Sequence, residues 1–152
     1  AEVTDVARQA IAASSTAIVH PAEFYVAIKE PALFAKAGDT LQPEILAVDP
    51  KGARVARVPV KVELVQRTWT LARQASGGAY RSVMAPVDKV VAACSVTTAQ
   101  APERCALAVP SAGYFLVHAT AADRRGNPVG AAAPIYAMGE GAVGWGGRRA
   151  CW

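Results

Sequence analysis

The run Val58-Pro59-Val60-Lys61-Val62-Glu63-Leu64 decides the fold. In an extended chain Val58, Val60, Val62 and Leu64 share one face, while Pro59, Lys61 and Glu63 take the other. A helix would scatter them around its axis. The same period of two appears in Phe24-Tyr25-Val26-Ala27-Ile28-Lys29, where Phe24, Val26 and Ile28 fall on one side. Tyr114-Phe115-Leu116-Val117-His118-Ala119-Thr120 is apolar on both faces at its start, as a strand covered on both sides would be. These runs are β-branched or aromatic and bounded by turn residues.

The turns between them are legible. Asp49-Pro50-Lys51-Gly52 puts Asp, Pro and Gly where a type I turn favours each, and Asp123-Arg124-Arg125-Gly126 repeats the Asp and Gly at the same spacing. Ala37-Gly38-Asp39 and Ser76-Gly77-Gly78 are further breaks, and Ala101-Pro102-Glu103-Arg104 is a polar loop. Strands are expected near 24–29, 41–48, 55–66, 67–73, 79–83, 90–98, 105–109, 114–122 and 129–137, with some neighbours merging. Residues 55–73 read as one long bent strand or as two. The stretch Val3 to Ala13 is the only helix-permissive one: its alanines favour helix, while Thr4, Ser14, Ser15 and Thr16 do not. The pattern indicates an all-β chain, a two-sheet antiparallel β-sandwich of about seven strands, with a barrel as the weaker alternative.

Composition bounds what the chain can be. Its 152 residues suit one domain, and 53% hydrophobic content with a net charge of +4 excludes a disordered chain. Roughly a fifth of the residues are alanine, so part of the apolar share is small filler. No apolar stretch approaches the ~20 residues that span a bilayer, so no direct membrane insertion is expected. The start is polar and lacks the basic and apolar regions of a signal peptide, as in an excised piece or a mature form. Arg54, Arg57, Lys61, Arg67, Arg73 and Arg81 are dispersed, and Arg124-Arg125 and Arg148-Arg149 are only pairs, so no nucleic-acid partner is expected.

Cys94 and Cys105 flank the polar stretch Ser95 to Arg104. Two cysteines on either side of a hairpin-length loop suggest a local disulfide and an oxidising compartment; two buried free thiols are the alternative. Cys151 is left over near the end. No CxxC or Cys/His pairing of zinc spacing occurs, and no metal or cofactor is expected.

An internal echo bears on domain organisation. Asp5, Ile11 and Ala17-Ile18 repeat the spacing of Asp123, Val129 and Ile135-Tyr136. Each reads as an Asp-containing turn leading into a final strand. On this reading residues 1–20 close a preceding domain, 21–138 form a complete sandwich, and 139–152 are a linker or tail.

No catalytic constellation emerges. GxSxG, HExxH, P-loop and GxGxxG patterns are absent, and the glycines from Gly141 to Gly147 lack a strand–helix frame. His20 and His118 are the only histidines; an enzyme using either with a nearby Asp is the least favoured reading. Trp69, in Arg67-Thr68-Trp69-Thr70, reads either as packing on a long strand or as an exposed ridge meeting a neighbouring module. Trp145 and Trp152 sit in the tail, which reads either as a disordered end with no role or, for a Trp just past the last strand, as a contact with a following domain.

In order along the chain, several segments resemble macroglobulin-like domains of bacterial alpha-2-macroglobulins. They are Val19-His20-Pro21-Ala22-Glu23-Phe24-Tyr25-Val26, Lys36-Ala37-Gly38-Asp39-Thr40, Ala47-Val48-Asp49-Pro50-Lys51-Gly52 and Val62-Glu63-Leu64-Val65-Gln66-Arg67-Thr68-Trp69. Next come Cys94 with Cys105, Ala112-Gly113-Tyr114-Phe115-Leu116-Val117 with Ala122-Asp123-Arg124-Arg125-Gly126-Asn127, and Tyr136-Ala137-Met138-Gly139 followed by Trp145. The resemblance covers residues 1–145 and implies the module just before the bait-region domain. It further implies a large periplasmic parent, in many members lipid-anchored to the inner membrane, that traps proteases by rearranging after bait cleavage. Many members also hold a Cys-Gly-Glu-Gln thioester. Cys94, Cys105 and Cys151 are followed by other residues, so this piece carries no thioester, and it has no long bait stretch.

The resemblance therefore implies a non-catalytic scaffold module. Its partners would be neighbouring macroglobulin-like domains of the same chain and, through the parent, proteases. Trp69, Tyr25 and Trp145 are the candidates for interdomain contacts. The competing reading is an immunoglobulin- or fibronectin-like adhesion or glycan-binding module, which exposed aromatics in a row would favour, because sugars stack on them.

Overall fold

The computed structural model describes residues 2–139 except positions 5, 30, 31 and 77. Among these residues are twelve strands and no helix: β1 Glu2–Thr4, β2 Ala10–Ala12, β3 Tyr25–Lys29, β4 Phe34–Lys36, β5 Thr40–Leu41, β6 Glu44–Val48, β7 Pro59–Ser76, β8 Ala79–Thr97, β9 Glu103–Arg104, β10 Leu107–Ala108, β11 Gly113–Ala122 and β12 Pro128–Met138. One sheet has the order β4-β12-β11-β7-β8 and a second β3-β6-β9, while β5 with β10 and β1 with β2 form two-stranded ladders.

The alternation at 58–64 becomes the inner face of β7. Val60, Val62 and Leu64 are buried against Phe115, Val117 and Ile135 of the same sheet and Val26, Ile45 and Leu107 from the other side. β11 lies in the middle of its sheet, between β7 and β12. Phe115 and Val117 fill the core, and Leu116, on the outer face, is buried too. That double burial is the physical reason the run at 114–117 is apolar on both sides.

The expected strands are rearranged in four places. Of residues 55–73, read as one long strand or as two, those from Pro59 onward form the single strand β7, and 79–83 and 90–98 merge into β8. Pro59 is tolerated because it opens β7, and Pro86 because β8 is an edge strand. The segment 41–48 is broken at buried Pro43, and 105–109 shrinks to β10. Val3 to Ala13 forms no helix: β1 and β2 pair as a hairpin, Thr4 opposite Ala10. Finally, the large sheet is mixed, because β4 runs parallel to β12, with Phe34 opposite Tyr136.

The two Asp-containing turns share one geometry. In Asp49–Ala53 the Asp N–H donates to the carbonyl of Ala53 (2.8 Å), Gly52 N–H donates to the Asp carbonyl (2.9 Å), and Gly52 has φ 85°. Asp49 Oδ1 accepts from the backbone of Lys51 (2.9 Å) and Ala53 (2.8 Å). In Asp123–Asn127 the matching bonds are 3.0, 3.0, 2.9 and 2.9 Å, and Gly126 has φ 83°. This is a type I turn followed by a left-handed residue, where glycine carries no steric penalty. Asp123 does more than Asp49. It is buried, and its Oδ2 accepts from Asn127 Nδ2 (2.9 Å) and from the backbone of Glu23 (3.3 Å), so it ties the β11–β12 turn to the entry of β3.

Two further fastenings close the open side. Thr98 is buried; its Oγ1 accepts from Val58 N–H (3.1 Å) and donates to the Val55 carbonyl (2.8 Å). These bonds hold the approach to β7, where Arg57 has φ 64°, against the end of β8. Cys94 of β8 is bonded to Cys105, which follows β9, with their Cα atoms 6.3 Å apart. The bridge joins edge strands of the two sheets beside the core.

Two measurements test these fastenings. By the chain-entropy argument a closed loop of this length contributes on the order of 3 kcal/mol. Reduction should therefore lower the melting temperature by several degrees; an unchanged melting curve would contradict it. Hydrogen bonds from the Asn127 side chain and from the backbone of Asn127, Glu23 and Arg125 hold the Asp123 carboxyl below the usual aspartate range. A depressed folded-state pKa adds stability that is present above the unfolded value near ~3.9 and lost as pH falls through the folded value. Asp123→Asn should flatten the fall in melting temperature below about pH 4, and an identical acid limb in the variant would refute this assignment.

Candidate functional site

The outer face of the large sheet carries a row of directly paired residues from five strands: Phe34 of β4, Tyr136 of β12, Tyr114 of β11, Arg67 of β7 and Asp88 of β8. The rings touch in sequence. Phe34 and Tyr136 have centroids 5.9 Å apart at 34°, and Tyr136 and Tyr114 are 5.1 Å apart at 49°. Trp69, one step further along β7, stands 5.5 Å from Tyr114 at 37°. Tilted packing at these distances is favourable for aromatic pairs. Arg67 closes the row with a bidentate pair to Asp88, Nε to Oδ1 and Nη2 to Oδ2, both 2.7 Å. The hydrogen bonds from Arg67 hold the Asp88 carboxyl below its usual range, and those to Asp88 raise the Arg67 guanidinium above its own.

Beyond Arg67 the strands β7 and β8 leave the body. β11 pairs with β7 only from Lys61 to Arg67, whereas Thr68–Ser76 pair with Ala79–Val87 alone. The nine pairs form a ribbon about 30 Å long at ~3.3 Å per residue. On the face that continues the aromatic row, Leu71 lies opposite Met84, and their exposures are 69% and 53%. Tyr80 near the tip is 77% exposed, and at the other end of the row Phe34 and Met138 are 54% and 56% exposed. A bare two-stranded ribbon is marginal in water, and large apolar side chains gathered this way mark an interaction surface.

The candidates from sequence are thus separated. Trp69 is half-buried within this row. Tyr25 lies on β3, alternating with inward-facing Phe24 and Val26, on the outer face of the other sheet. There its hydroxyl bonds to His20 Nδ1 at 2.7 Å. Trp145 falls outside the described residues, as do Cys151 and Trp152. His118 lies on the same face as the row, opposite Glu63 of β7. Phe34, Tyr114 and Tyr136 escaped sequence reasoning as contact residues. Each comes from a different strand, and β4, three residues long in a parallel pair, leaves no periodic signal. The alternation of Tyr114 and Tyr136 with Phe115 and Ile135 was the available clue.

No family model matches the chain. Over 148 residues it is 26% identical to an alpha-2-macroglobulin homolog of Nostoc sp., a match covering 97% of this chain and 8% of that protein. Its fold is similar to part of E. coli alpha-2-macroglobulin in the native conformation, with TM-score 0.62 and 11% identity over 90% of this chain and 9% of that one. Salmonella alpha-2-macroglobulin reacted with methylamine gives TM-score 0.58 and 10% identity over 77% of this chain and 8% of that one. The chain spans less than a tenth of the length of these relatives. Its sandwich is macroglobulin-like, and nearly its whole length is similar to one domain-sized stretch of a bacterial alpha-2-macroglobulin.

The aromatic row yields a stability prediction. A double-mutant cycle with Trp69→Ala and Tyr114→Ala should give a coupling of about 0.5–1.5 kcal/mol in urea unfolding. Strict additivity would mean that the two rings do not support each other.

Proposed function

We propose that the chain is a non-catalytic structural module of a bacterial alpha-2-macroglobulin, a periplasmic endopeptidase inhibitor that traps proteases by conformational change. The observation that carries this reading is the match to an alpha-2-macroglobulin homolog across 97% of the chain. On this reading the aromatic face of the large sheet and the ribbon dock a neighbouring module of the same polypeptide. The route of the chain supports that occupant. β12 ends at Met138, on the rim of the exposed patch. The module's task is then mechanical: to hold its place among sandwich domains and to pass on or resist the rearrangement that follows bait cleavage.

The aromatic row itself favours a second reading, a glycan-binding face, because sugars stack on exposed rings. The geometry supports it less. Tyr114, Tyr136 and Trp69 are half-buried and tilted against one another rather than laid flat toward solvent.

A paired experiment separates these readings. Phe34→Glu with Leu71→Glu should leave the melting temperature of the 152-residue chain within a few degrees, because both side chains are exposed. The same pair placed in the full-length inhibitor should impair protease trapping. Stoichiometric trapping by the 152 residues alone would overturn the scaffold reading, and glycan capture abolished by Trp69→Ala would favour the alternative.

A further inference from the structure

The two long edges of the β7–β8 ribbon are guarded unequally. β8 has β7 as its one neighbour in the sheet, and its free edge is blunted. Pro86 removes an N–H from it. Val91 is the extra residue of a bulge, since Leu64 faces Ala92 and Val65 faces Val90. Lys89 adds an exposed charge between them. Prolines, bulges and lysines are the devices that keep an edge strand from taking on another strand.

The edge of β7 carries none of them along the ribbon except one arginine. From Thr68 to Ala75 it pairs with β8 on one side and with no described strand on the other. This stretch has no proline and no bulge, and Thr68, Trp69 and Thr70 are good strand formers. The line of β11 stops short of it. Pairing of β11 with β7 ends at Tyr114–Arg67, and Ser111 Oγ accepts from Gln66 Nε2 (3.2 Å), so the chain ahead of β11 turns off beside Gln66 instead of following β7. A strand laid along Thr68–Ala75 would therefore lie end to end with β11, in the plane of the large sheet.

The charge of the ribbon says what fits there. From Thr68 to Val87 it holds Arg73 and Arg81, both exposed, and no Asp or Glu. Elsewhere on β7 the cations have carboxylates beside them, Lys61 with Glu63 and Arg67 with Asp88. Trp69, Leu71 and Arg73 share the outer face at alternate positions. An added strand would set its own alternate side chains opposite these three, at about 5 Å. Apolar groups suit Trp69 and Leu71, and a carboxylate suits Arg73.

We propose that the Thr68–Ala75 edge of β7 takes up an extended segment of a neighbouring module by strand addition. That segment carries two apolar residues and then an Asp or Glu at alternate positions. The proposal rests on the scaffold reading, in which this face and ribbon dock a neighbour of the same polypeptide, and supplies the mode of docking. Main-chain hydrogen bonds along the edge hold the segment, and the alternate side chains select its sequence.

Hydrogen exchange in the full-length inhibitor, set against the 152-residue chain, tests this. In the short chain the Thr68–Ala75 amides turned away from β8 should exchange freely. In the full-length protein they should slow by on the order of tenfold or more. Arg73→Glu should abolish the slowing, and Arg73→Lys should keep it. Equal rates in the two proteins would overturn the proposal, as would protection that Arg73→Glu leaves intact. Protection that appears in the short chain and grows with its concentration would make the occupant a second copy, which also overturns it. The docking reading has its own readout. If Phe34→Glu with Leu71→Glu impairs trapping while these amides stay fast, the face docks through side chains alone, and strand addition falls by itself. Stoichiometric trapping by the short chain would sink the scaffold reading, and strand addition with it.

Discussion

The rest of the structure hangs on the pairing of β11 between β7 and β12. Phe115, Val117 and Ala119 project from this central strand into the core without measurable exposure, and Leu116 is covered on the opposite face. The contrast between this inner face and Tyr114, His118 and Thr120 on the outer one fixes the register, because a slip of one residue would exchange the two faces along the whole strand. With that register set, β7 is aimed so that its far half leaves the body as a ribbon. β12 is aimed so that its end arrives beside Phe34. The aromatic row of Phe34, Tyr136, Tyr114 and Arg67 follows directly: it is the level of the ladder just above the last fully buried one.

This hierarchy explains what was legible in the residues. Alternation at 58–64 and two-sided burial at 114–117 are local signals of local causes, and they led to a sandwich. The two Asp turns were equally visible, since an aspartate and a glycine three apart serve backbone groups within five residues. The full length of β7 and β8 was hidden. Arg67, Thr68, Asp88 and Pro86 interrupt the apolar pattern, but on a projecting ribbon no interior demands that the pattern continue. The parallel pairing of β4 was hidden for another reason: three residues cannot show a period, and the partner lies about a hundred positions away. Trp69 stood out as an isolated large residue, whereas its neighbours in the row come from strands distant in sequence. Tyr25 stood out in the same way, and the sheet order puts it on the other side of the molecule.

One turn geometry at Asp49 and at Asp123 serves two ends. At Asp49 the carboxylate satisfies its own loop and stays half-buried. At Asp123 the same local bonds leave Oδ2 free to take the Glu23 backbone, and burial raises the stakes, because an unpaired carboxylate there would be costly. The Glu23 side chain meanwhile reaches Arg124 at 3.2 Å and Arg125 at 3.5 Å, exposed pairs that contribute little to stability. The buried bonds make the join between sheets, and the surface charges decorate it.

The distribution of side-chain size bears on the module's role. Much of the core is small: Ala35, Ala47, Ala119, Ala133 and Ala137 are all buried, so the sheets meet over modest side chains. Meanwhile Leu71, Met84, Tyr80, Phe34 and Met138 stand in water along one continuous face and its ribbon. Burying one such side chain is worth about 1.5–3 kcal/mol, and an isolated domain gains none of that from residues it leaves outside. On the proposed reading the domain is one layer of a larger stack, and the face left bare by one module becomes interior once the next is in place.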